Sequence, residues 1–255
     1  MRFLLRPFHV LYVLYAFALF VILMIPVFAW SLLVLLLGKD KGAYLVYGAC
    51  MVWADVWLAL VGIHHRNIVK GAPIHGRAYI FVSNHISYLD SAIIPKTFRR
   101  PLRPLGKVEM ARIPIFGFIY RHVIVTVDRS SAGNRAKSVH QMKSILRRGI
   151  SVLVFPEGTF NTTHRPLKEF YDGAFRIAIE TGTPIRPVLL LDTYARMNYR
   201  SIFSLNPGRS RALFLPEIGV EGLTQGDVAA LRDKVFVAME AELAQARAAW
   251  IDGTA

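Results

Sequence analysis

The hydrophobic positions are concentrated at one end of the chain. From Phe8 to Leu37 no residue is charged, and His9 and Ser31 are the only conspicuously polar side chains. At about 1.5 Å of rise per residue, a helix over this stretch is long enough for the hydrocarbon core of a bilayer if it stays straight. Pro26 lies inside it, removes a helix hydrogen bond and is expected to bend or divide it. A short polar turn follows, Gly38-Lys39-Asp40-Lys41-Gly42, then a second apolar run from Ala43 to Ile63 with Trp53, Trp57 and one acid, Asp55. The chain turns polar at His64-His65-Arg66. Arg2 and Arg6 resemble the charged start of a signal peptide, but the apolar run is too long and no small-x-small cleavage site follows it. A soluble core hairpin would carry a polar face. The pattern therefore predicts a membrane-embedded helix pair over residues 1–64. Basic residues flank it on three sides: Arg2 and Arg6, Lys39 and Lys41, Arg66 and Lys70. A spanning hairpin should leave its middle turn poor in Lys and Arg. The basic turn and the proline fit helices dipping into one leaflet, with two full spans as the alternative.

Beyond Lys70 short apolar runs alternate with polar helical stretches. The runs Tyr79–Ser83, Val123–Val127, Val152–Phe155, Ile185–Leu191 and Arg211–Leu215 predict strands. Ala132 to Arg148 reads as a helix with an apolar stripe of Val139, Met142, Ile145 and Leu146, ended by Gly149. Phe170 to Glu180 reads as a second, stopped by Thr181-Gly182. Thr224 and Asp227 resemble a capping box ahead of a third, whose apolar positions Val228, Leu231, Val235, Met239 and Leu243 have helical spacing. Strands alternating with helices imply an α/β fold over residues 65–255, a mixed sheet flanked by helices.

Composition sharpens this picture. The chain has 255 residues, with 31 Lys and Arg against 17 Asp and Glu, a formal net charge of +14. The mean hydropathy is +0.38. Basic and apolar together fit a protein on an anionic membrane surface. Nucleic-acid binding is disfavoured, because many of the aromatics lie in the membrane segments rather than interleaved with basic residues on an exposed strand pair. One cysteine excludes an internal disulfide framework and any multi-cysteine metal site.

Two polar clusters follow apolar strands, where α/β proteins place their chemistry. The first is Asn84-His85-Ile86-Ser87-Tyr88-Leu89-Asp90. A neutral imidazole can take a proton from a hydroxyl through one ring nitrogen if an acceptor holds the other. Asp90 can do this if the intervening residues form a turn or the first coil of a helix. No G-x-S-x-G motif accompanies the pair, and Cys50 lies within the apolar segment, so a substrate hydroxyl would be activated directly. His85 as a hydrogen-bonded loop histidine and Asp90 as a helix cap is the structural alternative. The second cluster, Phe155-Pro156-Glu157-Gly158-Thr159, reads by itself only as a tight turn presenting Glu157 at a strand end.

Taken together, the clusters resemble the glycerolipid acyltransferase superfamily, which includes the 1-acylglycerol-3-phosphate acyltransferases. Residues 84–90 resemble its first motif and 155–159 its third. Gly106-Lys107, Ile113-Pro114-Ile115-Phe116-Gly117 and Val127-Asp128-Arg129 resemble the second region, and Ile185-Arg186-Pro187-Val188 the fourth. The N-terminal helix pair is similar to the anchor of bacterial members. The resemblance implies His85 as general base and Asp90 as its orienting partner. It implies Lys107 and Arg129 near the substrate phosphate or the donor, Glu157, Gly158 and Thr159 around the acceptor site, and Pro187 beneath it. The implied donor is acyl-CoA or an acyl carrier protein thioester, and the implied acceptor a lysolipid, with no metal and no bound cofactor. The implied location is a bacterial inner membrane, at its cytoplasmic face. One position departs from the family pattern: Phe160 stands where arginine is usual. A bidentate arginine is the natural clamp for a phosphate monoester. The departure leaves room for a lysolipid with another headgroup, such as a monoacylated amino-acid lipid. Thioester hydrolysis and non-enzymatic binding of anionic lipid are the rival functions.

Overall fold

The computed structural model describes residues 6–72, 76–128, 132–246 and 248–251. The apolar N-terminus forms two helices, α1 (Arg6–Val34) and α2 (Lys39–Leu60). Both are long and apolar enough to cross a membrane, with mean hydropathies of 2.7 and 1.5 over their apolar windows. Of the two outcomes expected for Pro26, division does not occur: α1 runs continuously through it. Packing continues on both sides of it, with Met24 and Val27 buried, so the helix tolerates one missing hydrogen bond.

Seven strands follow: β1 (Ile63–Val69), β2 (Ile80–Ser83), β3 (Arg103–Lys107), β4 (Val125–Val127), β5 (Val152–Val154), β6 (Ile185–Leu190) and β7 (Gly208–Phe214). They form one sheet in the order β1-β7-β6-β2-β5-β3-β4. The β6–β7 pair is antiparallel and the other described pairs are parallel. The helices between them are α3 (Leu89–Thr97), α4 (Phe116–Val123), α5 (Ala132–Arg147), α6 (Gly173–Thr181), α7 (Thr193–Arg196) and α8 (Val228–Gln245). This is the expected mixed sheet flanked by helices.

Sequence reasoning missed β1 and β3. The polar run His64-His65-Arg66 belongs to an edge strand paired with β7 over its full length. Its histidine makes structural contacts, His65 Nδ1 lying 3.0 Å from Ser210 Oγ and Nε2 3.0 Å from Asn67 Oδ1. β3 contains Pro104 and Gly106, which punctuate a sequence like a turn. The strand expected at Val123–Val127 shortens to Val125–Val127, because the preceding apolar residues form α4. There Ile119 and Val123 are buried, and the Phe118 ring stands edge-on to Phe28 of α1 at 5.3 Å.

Strand residues alternate between the two faces of the sheet. Phe81, Leu153, Val188, Leu190, Ala212 and Phe214 pack into one cluster with Val13, Ala16, Val46, Trp53 and Trp57 of the helix pair. Ile80, Val82, Val152, Ile185, Leu189 and Leu213 pack on the other side with α5, α6 and α8. The helix pair runs across the sheet. At one end the Tyr12 hydroxyl donates to the Val61 carbonyl at 2.7 Å, beside the β1 edge. At the other, α1 meets α4, which leads into the opposite edge strand β4. The outward face of α1 remains apolar, with Leu11, Leu14, Ile22, Ile25 and Leu33 exposed. So large an apolar surface fits lipid rather than water.

The centre of the helix pair is an aromatic cluster. Trp53 and Trp57 stack with centroids 5.6 Å apart, and Phe20 meets them edge-on at 4.8 and 5.4 Å. The Trp57 indole donates to the Ala16 carbonyl at 2.9 Å. Trp57→Ala is expected to cost about 3–5 kcal/mol, whereas the outward-facing Val56→Ala should change stability by less than about 0.5 kcal/mol. Thermal unfolding of both variants in the same detergent checks this.

Candidate active site

Two sequence-distant loops meet because β2 and β5 are neighbouring parallel strands. Their C-terminal ends lie at the same edge of the sheet, so the residues after β2 and after β5 face each other. The His85 backbone N–H donates to Glu157 Oε1 at 2.9 Å, and the Asn161 N–H donates to the His85 carbonyl at 2.7 Å.

The spacing of His85 and Asp90 works through the start of α3. The chain turns after His85, and Asp90 falls in the helix's first turn. Asp90 Oδ2 lies 2.9 Å from His85 Nδ1 and accepts the backbone N–H groups of Ile86 and Ser87, each at 2.8 Å. The first turn of α3 and these N–H donors fix the carboxylate's position. Asp90 is fully buried. An ionised carboxylate only accepts, so Nδ1 carries the imidazole proton and Nε2 is left as the acceptor. His85 is 19% exposed, and Nε2 has no hydrogen-bond partner among the described residues. Aromatic rings wall the imidazole. Phe155 stacks on it at 4.2 Å, Phe160 lies tilted at 4.4 Å, and Tyr88 stands edge-on to Phe160 at 5.0 Å.

The other expected site residues fall into different settings. Glu157 is fully buried, and its second oxygen accepts the Lys168 N–H at 3.0 Å. Burial pushes its carboxyl up to about 8, against two backbone hydrogen bonds that favour the charged form. Gly158 has φ +72°, a turn conformation suited to glycine. Thr159 Oγ1 accepts from Lys168 Nζ at 2.8 Å. Lys107 is exposed at the end of β3, and its carbonyl accepts the Tyr120 hydroxyl at 3.1 Å. Its neighbour Gly106 is required by packing, since a Cβ there would stand 1.8 Å from the Tyr120 oxygen. Pro187 lies within the sheet opposite Val82, and its carbonyl accepts the Leu215 N–H at 2.9 Å. Arg129 lies outside the described residues. The structure thus brings together His85, Asp90, Glu157 and the Thr159 loop. Among the described residues, neither Lys107 nor Pro187 hydrogen-bonds to His85, Asp90 or Glu157. No three His, Cys, Asp or Glu side chains among the described residues converge as a metal site requires.

Three supporting residues had no role assigned from sequence. Asn84 bridges β2 to β6, accepting the Leu190 N–H at 2.8 Å and donating to its carbonyl at 3.2 Å. Ser87 Oγ donates to the Met197 carbonyl and accepts the Leu89 N–H at 2.9 Å. Phe160 builds a wall of the site. Asn84 and Ser87 are polar residues at the end of an apolar strand, and that was the available signal.

An imidazole backed by a buried carboxylate at strand ends is the arrangement that proton-transfer chemistry requires. Comparison narrows the class. The family model described as Acyltransferase matches residues 63–191, and the chain belongs to the acyltransferase family. The 1-acyl-sn-glycerol-3-phosphate acyltransferase alpha of Mus musculus is 32% identical over 162 residues, 62% of this chain and 55% of its own. The chain therefore spans about half the length of that relative. The 1-acyl-sn-glycerol-3-phosphate acyltransferase of Salmonella typhimurium is 31% identical over 179 residues, 68% of this chain and 70% of its own. The crystal structure of the 1-acyl-sn-glycerophosphate acyltransferase from Thermotoga maritima shares the fold, with a TM-score of 0.73, 20% identity, and coverage of 97% of this chain and 98% of that one.

Glu157 gives this site a pH signature. Its folded value of about 8 lies above its ordinary 4.5, so the folded protein holds this proton more tightly than the unfolded chain. The resulting stability is fully present below pH 4.5 and is lost as pH rises towards 8. Glu157→Gln should flatten the pH dependence of the unfolding temperature across that window. The variant should also be less stable at low pH, because an amide nitrogen cannot accept the second backbone N–H.

Proposed function

We propose that the protein transfers a fatty acyl group from an acyl thioester to the free hydroxyl of 1-acylglycerol-3-phosphate, forming phosphatidic acid. The observation that carries this reading is the His85–Asp90 pair, with Nε2 directed to no protein group. The activity for which the Mus musculus and Salmonella typhimurium relatives are named supports the substrate class. In this reaction His85 Nε2 takes the acceptor's hydroxyl proton as the oxygen attacks the thioester carbonyl. The Nδ1–H bond to Asp90 fixes the tautomer and stabilises the imidazolium that forms. The tetrahedral intermediate then expels a thiolate, a leaving group acidic enough to need less proton assistance than an alkoxide. No metal or bound cofactor takes part. The donor is acyl-CoA or acyl carrier protein.

Lys107 and Arg129 take the acceptor phosphate or the donor. Glu157 braces the His85 loop, Gly158 and Thr159 form the adjoining turn, and Pro187 supports the sheet below. Residues 1–64 anchor the enzyme to the cytoplasmic face of a bacterial inner membrane, and residues 65–255 carry the reaction. Phe160 favours a second reading of the headgroup. Its ring lies 4.4 Å from the His85 ring, where it offers a phosphate monoester no charge. That reading assigns a lysolipid without such a phosphate, such as a monoacylated amino-acid lipid, to the same chemistry.

The test uses purified protein with labelled acyl-CoA and acyl carrier protein as separate donors. Lysophosphatidic acid is offered beside lysolipids lacking a phosphate monoester. Diacylated product from lysophosphatidic acid is expected, with His85→Ala lowering kcat by roughly 10²–10⁴-fold. Product only from another lysolipid selects the second reading, and free fatty acid with no diacylated product overturns both.

A further inference from the structure

A second charged site lies away from His85. A cleft of about 770 Å³ opens between the start of α2, the end of α4 and one side of α5. Arg103, Arg121, Lys137, His140 and Arg148 line it, facing a single carboxylate, Asp40. Asp40 is already held by Arg148, with contacts of 2.7 and 2.8 Å to its Nη1. Arg121 Nη1 donates to the Ala111 carbonyl at 3.0 Å.

Arg103 is the unusual member. It is only 9% exposed, yet among the described residues the one hydrogen bond of its guanidinium runs to its neighbour's carbonyl, Leu102, at 3.4 Å, and the residue lines the cleft. Burial lowers its pKa below the ordinary arginine value. The nearby Asp40 carboxylate offsets part of that cost, but it is shared with Arg148, and the natural complement to a planar guanidinium donor face is a phosphate oxygen pair.

Position separates this cleft from the candidate active site. Arg103 and Ile80 both pair with Val152 at the start of the parallel strands. β2 ends at Ser83, three residues or about 10 Å beyond Ile80 at about 3.3 Å per residue, and His85 follows that end. The rim of the cleft adjoins the turn between α1 and α2. Immediately before Asp40, Leu36 and Leu37 are 85% and 59% exposed. An apolar tip beside a basic cleft is suited to a bilayer surface, with the leucines in the acyl region and the cations at headgroup level.

We propose that this cleft binds the phosphate of an anionic phospholipid headgroup and seats the β4 end of the helix pair on the membrane. The inference is independent of the acyl-transfer reading. It is read by binding alone, so failure of one leaves the other standing.

The test is flotation of full-length protein with vesicles of phosphatidylcholine, with and without phosphatidylglycerol. Lys137→Gln and Arg103→Gln are compared with Lys234→Gln, which removes one exposed charge from α8. Each cleft variant should weaken binding to the anionic vesicles about fivefold, leave binding to neutral vesicles unchanged, and exceed the effect of Lys234→Gln. Lys137 is exposed on α5, so its variant tests the cleft even if Arg103→Gln unfolds. Equal losses in all three variants would mean diffuse surface charge and overturn the proposal. Unchanged flotation with a raised KM for acyl-CoA in detergent would also overturn it, assigning the cleft to the phosphates of the thioester donor.

Discussion

A sheet of mostly parallel strands must be covered on both faces, and here one cover is the apolar helix pair. Phe81 and Phe214 meet the Phe98 ring at the end of α3, at 4.8 and 5.6 Å, and with Leu153 and Val188 they share one buried cluster with Trp53 and Trp57 of the helix pair. The pair is thus part of the core as well as the surface offered to lipid. Its inner stripe holds the sheet, while Leu11, Leu14, Ile25 and Leu33 face outward. A helix apolar on all sides is unstable as a surface element in water. The same residues that complete the fold therefore leave one face of the molecule apolar, and the proposed membrane anchoring rests on that face.

Two buried carboxyl groups hold the His85 loop, and they sit in different settings. Asp90 gathers three hydrogen bonds on one oxygen at a helix start. Glu157 takes one backbone N–H on each oxygen, and burial raises it to about 8. The Asp90 charge raises it further. Two ionised carboxylates flanking one imidazole would repel each other. Burial and the neighbouring Asp90 both favour the neutral form of Glu157, while both acids brace the loop.

Sequence periodicity made the helix pair, four internal strands and the long helices legible. The capping box is present, with Thr224 and Asp227 each bonded to the other's backbone or side chain. β1 was illegible because an edge strand can be polar on both sides, as His64-His65-Arg66 is. β3 was illegible because Pro104 and Gly106 imitate a turn, although Gly106 is fixed by its approach to Tyr120. The His85–Asp90 geometry was legible because a spacing of five needs only one local turn. The Glu157–His85 bond was not, since it depends on which strands are neighbours. Pairing of β2 with β5 is a property of the sheet and not of either segment.

Phe160 gains meaning only in three dimensions. In sequence it marks a missing arginine; in space it closes the imidazole between two rings, with Tyr88 behind it. Removing water from one side of His85 lowers the local dielectric and strengthens the Nδ1–Asp90 interaction. It also limits the water that could attack a thioester in place of the lipid hydroxyl. In the proposed reaction, a change that removes a charge for phosphate thus adds an apolar shield at the base. The acceptor's anionic group, if it has one, must then be held by cations outside this wall. The exposed Lys107, the Lys168 ammonium on Thr159 and the exposed Arg165 of the same loop are among the described basic groups at the strand ends.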